Sequence, residues 1–249
     1  MISISSKENK IYKYLKSLQQ KKYRDKENIF YTEGFVVLKE ALKYKNPKYI
    51  AISESKVLEL EKLNIETQIY VIADKIFKGI SDTVNSQGVI AYFEQIHNFG
   101  IENIKAGKYI LLDDVRDPGN VGGLIRSADG FGVKLIMTPE CVELYNPKLI
   151  RSTMTSIFRV EIHILNNKAE IESLRERGFE IVATDVDGGE ISKDFNFREN
   201  TILILGNEAK GVSNEMLNLS ERKIYIQTQN IESLNVNVAG SILMYEMMR

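Results

Sequence analysis

The 249-residue sequence predicts an α/β protein in two parts, a small α/β domain followed by a larger domain with a mostly parallel sheet. Short apolar runs alternate with segments of helical spacing, which is the pattern of a parallel sheet covered on both faces. A polar stretch with two glycines interrupts this pattern and is typical of a linker. We therefore predict domains at 1–96 and 109–249, joined by a linker at 97–108. With 43% apolar residues, the chain is able to bury a core.

The first domain opens with a predicted helix over 7–20, in which Ile11, Tyr12, Leu15 and Leu18 follow helical spacing. The stretch "IFYTEGFVVLKEAL" predicts a short strand, a turn at Gly34 and a helix. Three more strands are predicted from apolar runs, at 49–53, 69–73 and 88–93.

The second domain is predicted to hold six strands with helices between most of them. Their positions are 109–112, 133–137, 159–164, 179–184, 201–205 and 223–227. In such sheets ligands bind where strands end and helices begin.

Composition excludes several classes of protein. No segment approaches the ~20 continuous apolar residues of a membrane span, and the start "MISISSKENK" lacks the apolar stretch of a secretion signal. The single cysteine, Cys141, excludes an internal disulfide and a cysteine zinc cluster. No carboxylate/histidine spacing indicates a metal site. We expect a cytoplasmic protein without a metal or a membrane partner.

Positive charge is concentrated at the start of the chain. Residues 1–48 hold twelve Lys/Arg against five Asp/Glu, a net charge of +7, although the whole chain carries −1. This distribution indicates a polyanion partner, with Lys21, Lys22 and Arg24 as candidate contacts. A solvated, lysine-rich helix face is the alternative explanation.

The first of three candidate site loops is "DPGNVGGLIRSADGFG" at 117–132. Asn120 is a favoured N-cap residue, and we predict that it begins the helix. Gly122 and Gly123 leave the start of the helix open to a ligand. Arg126 follows six positions after Asn120, in the second turn, where it is able to reach the same crevice. Taken alone, Asn120 is more often only a cap and Arg126 only a surface arginine.

Two further strand ends carry the same kind of residues. In "LGNEAKG" (205–211), Gly206 permits close backbone approach and Glu208 offers a carboxylate, which alternatively pairs with Lys210. In "IESLNVNVAGSILMYEMM" (231–248), Ser233 or Asn235 is predicted to cap the final helix. Three such loops at one edge of a sheet indicate a binding crevice.

Together the three loops resemble the signature of the SpoU-type RNA ribose 2′-O-methyltransferases of the SPOUT superfamily. The matching stretches are "NVGGLIR" (120–126), "GNEAKG" (206–211) and "SLNVNVA" (233–239), in the family's order. The resemblance covers residues 109–249. The stretches "YRDKENIFYTEGFVVLKEAL" and "SQGVIAYF" are similar to the small ribosomal-protein-like substrate-binding domain that precedes many of these enzymes.

The resemblance implies a deep trefoil knot and an S-adenosylmethionine site within it. By position, the residues that line this cofactor site are Gly206, Ile226 and Leu234. It also implies a homodimer that methylates RNA, with ribosomal RNA as the expected substrate.

The resemblance assigns to Arg126 the removal of the ribose proton, and the chemistry of arginine offers a clamp on the substrate phosphate as the alternative role. Since arginine is normally fully protonated, the clamp is the plainer role. The remaining family positions match Asn120, Glu208, Ser233 and Asn235, which are expected to orient Arg126, the ribose and the loops.

The sequence departs from the family pattern at 226–235, where "IQTQNIESLN" lacks the usual proline and glycine, and at Asn237, where the family has serine. Three alternatives stay open: a tRNA ribose methyltransferase, a non-catalytic RNA-binding protein with the same fold, which the altered loop favours, and, more remotely, a dinucleotide oxidoreductase. The last lacks its glycine fingerprint.

Overall fold

The computed structural model describes residues 1–96 and 100–249. Its contacts divide the chain into two compact units. The first comprises Met1–Ile96 and Leu144–Phe158, and the second comprises His97–Glu143 and Arg159–Arg249.

The contacts therefore place residues 144–158 with the first unit, although they lie within the stretch predicted as the second domain. The domain boundaries at 96 and 109 stay predictions, and the first three residues of the predicted linker lie outside the described residues.

The sheet of the first unit has five strands in the order β1-β4-β3-β5-β2. Strand β4 pairs in parallel with β1 and β3, whereas β5 is antiparallel to β3 and β2. Sequence patterns predicted four of these strands and missed the first, which has only three residues. The strands are β1 (Ile2–Ile4), β2 (Ile29–Glu33), β3 (Tyr49–Ser53), β4 (Gln68–Ile72) and β5 (Val89–Glu94).

The helices of this region are α1 (Lys10–Ser17), α2 (Lys21–Glu27), α3 (Phe35–Ala41), α4 (Val57–Glu61) and α5 (Asp74–Phe77). Helix α1 begins after Asn9, whose side chain accepts hydrogen bonds from two backbone N–H groups of the first turn. Its apolar stripe packs on one face of the sheet, where Tyr12, Leu15 and Leu18 are buried with Tyr31. The predicted turn at Gly34 is confirmed, since that residue has φ 108° and precedes α3.

Residues 144–158 complete the other face of the first unit. The Phe30 ring stacks on Tyr145 at a centroid distance of 5.0 Å, and Phe158 lies 5.0 Å from Phe93. The Arg151 guanidinium pairs with the Asp82 carboxylate at 2.7 Å. These aromatic contacts explain why the segment belongs to this unit.

The second unit contains a seven-stranded sheet in the order β10-β12-β9-β11-β6-β7-β8, in which every pairing is parallel. The predicted parallel sheet is thus confirmed, and the short β10 is an addition. The strands are β6 (Lys108–Leu112), β7 (Lys134–Met137), β8 (Ile162–Ile164), β9 (Glu180–Thr184), β10 (Glu190–Ile191), β11 (Thr201–Leu205) and β12 (Arg222–Tyr225).

Helices cover both faces of this sheet, as continuous apolar strands require. The helices that follow in the chain are α6 (Pro118–Phe131), α7 (Pro147–Ser152, within the first unit), α8 (Glu170–Glu176), α9 (Asn214–Leu219) and α10 (Val236–Met248). Helices α8 and α9 bury Ile171, Leu174 and Met216 against one face. On the other face α6 packs against α10. Among the described residues no helix has the length and apolar character to cross a bilayer. The knot stays a prediction.

Candidate active site

The three predicted site loops meet through a chain of side-chain hydrogen bonds. Asn120 Nδ2 donates to Glu208 Oε1 at 2.9 Å, and Asn235 Nδ2 donates to Asn120 Oδ1 at 3.0 Å. The partners are 88 and 115 residues apart in the sequence. Asn120 therefore joins the loop after β11 to the start of the last helix, and the three motifs form one site.

Asn120 is able to bridge these loops because it does not cap α6. The prediction that it does is wrong: the N-cap is Asp117, whose carboxylate accepts the Asn120 backbone N–H at 2.9 Å. Pro118 occupies the first helical position, where its missing N–H costs nothing. The Asn120 side chain is consequently free to point away from its own backbone.

The N-cap of α10 is Asn235, one of the two residues predicted for that position. Its Oδ1 accepts the backbone N–H groups of Asn237 and Val238 at 2.9 and 3.4 Å. The same amide thus fixes the start of the helix with its oxygen and holds Asn120 with its nitrogen. Ser233, the other alternative, is exposed two residues earlier.

The loop after β11 folds tightly on itself. Backbone bonds of 3.0 and 2.9 Å join Asn207 to Gly211, and a Cβ on Gly206 would overlap the backbone of Gly211 and Val212. Asn207 Nδ2 also donates to the Asp114 carbonyl at 2.8 Å. Asn207 was not among the predicted site residues, although an asparagine after a strand-end glycine is a turn signal.

Arg126 lies on the exposed side of α6. Within residues 1–96 and 100–249, no group forms a hydrogen bond or an ion pair with its guanidinium. Its fork of donors is therefore available to a ligand, and Arg126 lies about 1.7 helical turns beyond Asn120.

A pocket of about 500 Å³ opens beside the same loops. All three predicted cofactor residues line it, namely Gly206, Ile226 and Leu234, and so do Glu208, Ser233 and Asn235. Among the described residues the lining includes neither Asn120 nor Arg126. Two of the three bridge residues, Glu208 and Asn235, thus belong to the pocket, whereas Asn120 and Arg126 lie beside it.

The pocket fits a nucleoside-sized cofactor. Its volume lies within the range of about 300–1,000 Å³ that is usual for small-molecule sites. Apolar side chains of Leu205, Ile224, Leu234 and Leu243 line it, and they suit a flat ring. Because Gly206 carries no side chain, backbone groups of its loop stay accessible to a ligand. These features fit S-adenosylmethionine.

One wall of the pocket consists of residues that were not predicted as site residues. The wall is formed by Thr184, the last residue of β9, and by Asp185, Val186 and Asp187, which follow it. Lys223 Nζ donates to Asp185 at 2.8 Å, and this hydrogen bond lowers the pKa of the Asp185 carboxyl below its ordinary value. The run "TDVDGG" at a strand end was the available signal.

The predicted RNA contacts divide into two kinds. Lys21 and Lys22 are exposed; Lys21 pairs with Asp25 at 2.9 Å, and Lys22 Nζ lies 5.6 Å from the centroid of the Tyr23 ring. Arg24, however, is only 2% exposed, and its guanidinium donates to the Leu18 and Gln19 carbonyls at 3.1 and 2.8 Å. The assignment of Arg24 to RNA is therefore corrected. Its buried guanidinium satisfies two backbone carbonyls of the turn that follows α1.

Comparison with known proteins places both parts of the chain. Residues 107–245 match the SpoU rRNA methylase family, and residues 9–91 match the MRM3-like substrate-binding domain. The chain is 30% identical over 250 residues to the 23S rRNA (guanosine(2553)-2′-O)-methyltransferase of Bacillus subtilis strain 168, covering 99% of each protein. It is 34% identical over 148 residues to the 23S rRNA (uridine(2479)-2′-O)-methyltransferase of Streptomyces viridochromogenes, covering 56% of this chain and 52% of that protein.

Solved structures agree. The crystal structure of an AdoMet-bound rRNA methyltransferase from Sinorhizobium meliloti has a TM-score of 0.86 to this chain at 28% identity, covering 98% of this chain and 96% of that one. The resemblance seen in the three motifs is thus confirmed over the whole length. Since the first match alone spans more than half of the 249 residues, this chain belongs to the SpoU rRNA methylase family.

Proposed function

We propose that this protein transfers a methyl group to a ribose 2′-hydroxyl of 23S ribosomal RNA. The observation that carries the proposal is the Asn120 bridge, which holds the helix of Arg126 against both loops of the pocket. The names of the two relatives, each a 23S rRNA 2′-O-methyltransferase, support the choice of RNA. The two names differ in the target nucleoside, so they support the class of RNA and not a particular target base.

S-adenosylmethionine, when bound, supplies an electrophilic methyl group. The residues that would hold it are Gly206, Ile226 and Leu234, with the carboxylates of Glu208 and Asp185 at the same pocket. The proline and glycine missing from 226–235 do not abolish the cavity, since Ile226 and Thr228 line it.

Arg126 acts in this proposal as a clamp on the phosphate next to the target ribose. Its guanidinium is exposed and offers two parallel N–H donors, which match a phosphate. Asn120, Glu208 and Asn235 hold the start of α6 and thereby the position of that fork, while Ser233 and Glu208 face the entering ribose from the pocket. The proton of the hydroxyl leaves to water.

RNA binding is assigned to the first unit. It matches a substrate-binding domain, and the exposed Lys21 and Lys22 lie within its excess of positive charge. The separate domain favours ribosomal RNA over tRNA. The reaction then takes place in the cytoplasm, where the ribosome is assembled.

The protein acts as a homodimer in this proposal. Helix α10 carries an exposed apolar stripe of Val238, Tyr245 and Met248. On the same helix, the Ser241 hydroxyl oxygen lies 2.7 Å from the Ser127 hydroxyl oxygen of α6. Arg126 precedes Ser127, so a partner that covers the stripe also approaches Arg126. Its fork then serves the pocket of the partner, which agrees with its absence from the pocket lining described for its own chain.

The test is methyl transfer from labelled S-adenosylmethionine to 23S rRNA fragments and to bulk tRNA, followed by mapping of 2′-O-methyl positions. We expect label at one ribose of 23S rRNA and none in tRNA. Label in tRNA alone would favour the tRNA enzyme. Calorimetry that detects no S-adenosylmethionine binding, with or without RNA, would favour the non-catalytic RNA-binding protein.

A further inference from the structure

A buried ion pair lies beneath the site loops. Lys168 Nζ stands 2.6 Å from Asp113 Oδ1, with side-chain exposures of 14% and 1%. Asp113 follows β6, and Lys168 lies in the turn after β8. Because β7 separates these strands in the sheet, the pair connects two strand ends that are not neighbours.

Both members of the pair hold a single residue, Ser213. The Ser213 backbone N–H donates to Asp113 Oδ2 at 2.7 Å, and Lys168 Nζ donates to Ser213 Oγ at 3.0 Å. Ser213 is the N-cap of α9, and the hydroxyl of such a serine ordinarily accepts an N–H of its own helix. Within the described part of the chain it makes no such bond. Its hydroxyl is engaged by Lys168 instead.

Ser213 ends the loop that carries Glu208. At the other end of this loop, Asn207 is bonded to the Asp114 carbonyl. Between the two anchors Glu208 accepts the Asn120 amide, and the loop lines the pocket from Gly206 to Val212. The ion pair therefore supplies one of two fixed points of the 206–213 loop.

Stability alone gives a weak reason for such a pair. Removing two charges from water is costly, and well-packed apolar residues often do as well or better in the same place. Apolar residues do not form directional hydrogen bonds to a backbone N–H and a hydroxyl, as Asp113 and Lys168 do at Ser213. The geometry of the contacts thus indicates a role in placing the loop.

We propose that Asp113 and Lys168 are positioning residues for methyl transfer, which fix the 206–213 loop so that Glu208 meets Asn120 at the pocket. They touch neither the pocket nor the bridge themselves. The inference rests on the proposed function, because it names the support of that same site.

The test is hydrogen–deuterium exchange of the 206–213 peptide in the full chain without ligands, for wild type, Lys168→Met and Lys168→Arg. Lys134→Met is the matched control, since Lys134 pairs with Glu161 at 3.1 Å at the opposite ends of the strands. We expect exchange on the order of tenfold faster in Lys168→Met, recovery in Lys168→Arg, and no change at this peptide in the control.

Kinetics then separate positioning from general destabilisation. Since a displacement of about 1 Å costs about 100-fold in rate, kcat of Lys168→Met should fall by that order while RNA affinity is unchanged. If circular dichroism shows that this variant is unfolded, Asp113→Asn carries the same expectations. The proposal would be overturned if the loop exchanged at the wild-type rate in Lys168→Met and in Asp113→Asn. Exchange that is equally accelerated in Lys134→Met would also overturn it. Because exchange is measured without substrate, it decides this inference even if the chain fails to methylate 23S rRNA.

Discussion

Asn120 shows how one side chain is able to unite distant parts of a sequence. Its backbone is held by Asp117, so its amide is left to donate to Glu208 and to accept from Asn235. A primary amide carries its donor and its acceptor on two separate atoms at the end of the side chain, so it is able to serve both partners at once. This explains why neither an aspartate nor a leucine of similar size would replace it.

The bridge makes a prediction about Asn120→Asp. The substitution removes the donor and sets two carboxylates against each other at 2.9 Å, so the methylation rate should fall. Adding Glu208→Gln restores one donor and one acceptor with the roles exchanged. We expect the double variant to recover part of the rate in a single-turnover assay. A double variant no faster than Asn120→Asp would show that Glu208 has a role beyond the bridge.

Arg126→Ala should affect chemistry more than binding. Loss of the clamp should slow single-turnover methylation by about 100-fold, the scale expected for lost positioning, while RNA affinity falls modestly. Arg126→Lys keeps the charge without the planar fork and should recover only part of the rate.

The pH dependence of Arg126→Lys decides between the two roles of the arginine. A clamp predicts that the rate has the wild-type pH profile, whereas a general base predicts a profile displaced to lower pH. An Arg126→Ala rate within a few-fold of wild type would remove Arg126 from the site altogether.

At the scale of elements, the close contact between α6 and α10 depends on positions without a side chain. A Cβ on Gly240 would overlap Leu124 and lie 2.6 Å from Leu205 Cδ1, and one on Gly123 would overlap the Asn237 side chain. Since α6 carries Arg126 and α10 begins at Asn235, this contact sets the spacing between two of the three motifs.

Gly240→Ala should therefore destabilise the fold by about 1–3 kcal/mol, the usual cost of overpacking a core. Gly130→Ala is the control, because Gly130 lies in α6 with nothing within 4 Å of its added methyl group. It should stabilise by about 0.4–1 kcal/mol through the entropy of the unfolded chain. Denaturant unfolding measures the free energy of unfolding of both variants. A Gly240→Ala variant as stable as wild type would mean that α6 and α10 move apart at little cost.

At the scale of the whole molecule, the dimer prediction depends on the α10 stripe. Tyr245 is 55% exposed in the single chain. Tyr245→Lys should weaken the dimer, because the charge of the lysine would have to be buried at the interface. We expect a dimer for wild type and a monomer for Tyr245→Lys in light scattering. Leu58→Lys, at a residue 74% exposed in the first unit, should leave the dimer intact. A wild-type monomer that is active at micromolar concentration would contradict the prediction.

RNA affinity is expected to depend on the exposed lysines of the first unit. The double substitution of Lys21→Ala and Lys22→Ala should weaken RNA binding. The slope of log K against log salt concentration should become shallower by about 0.7–0.9 for each phosphate contact that is lost. Methyl transfer at saturating RNA should change little. Lys62→Ala, an exposed lysine at the end of α4, is the control. Equal losses in the control would assign the effect to overall charge.

The sequence by itself determined all strands but the short β1 and β10, the parallel arrangement in the second unit and the family, because apolar periodicity and loop motifs are local signals. It located Asn120, Glu208 and Asn235, but their hydrogen bonds depend on β6 lying beside β11, which is a property of the sheet order. Residue roles, dimer and knot stay predictions.

Only the tertiary structure decided the cap of α6, the burial of Arg24, the unit to which 144–158 belongs and the Asp185 wall of the pocket. For Arg24 and Asp185 the reason is the same. Whether a charged or polar side chain faces water depends on which distant segment covers it, and composition gives the charge of a residue without its neighbours. Arg24 and Lys22 stand in one basic run, yet α2 turns one towards two backbone carbonyls and the other towards solvent.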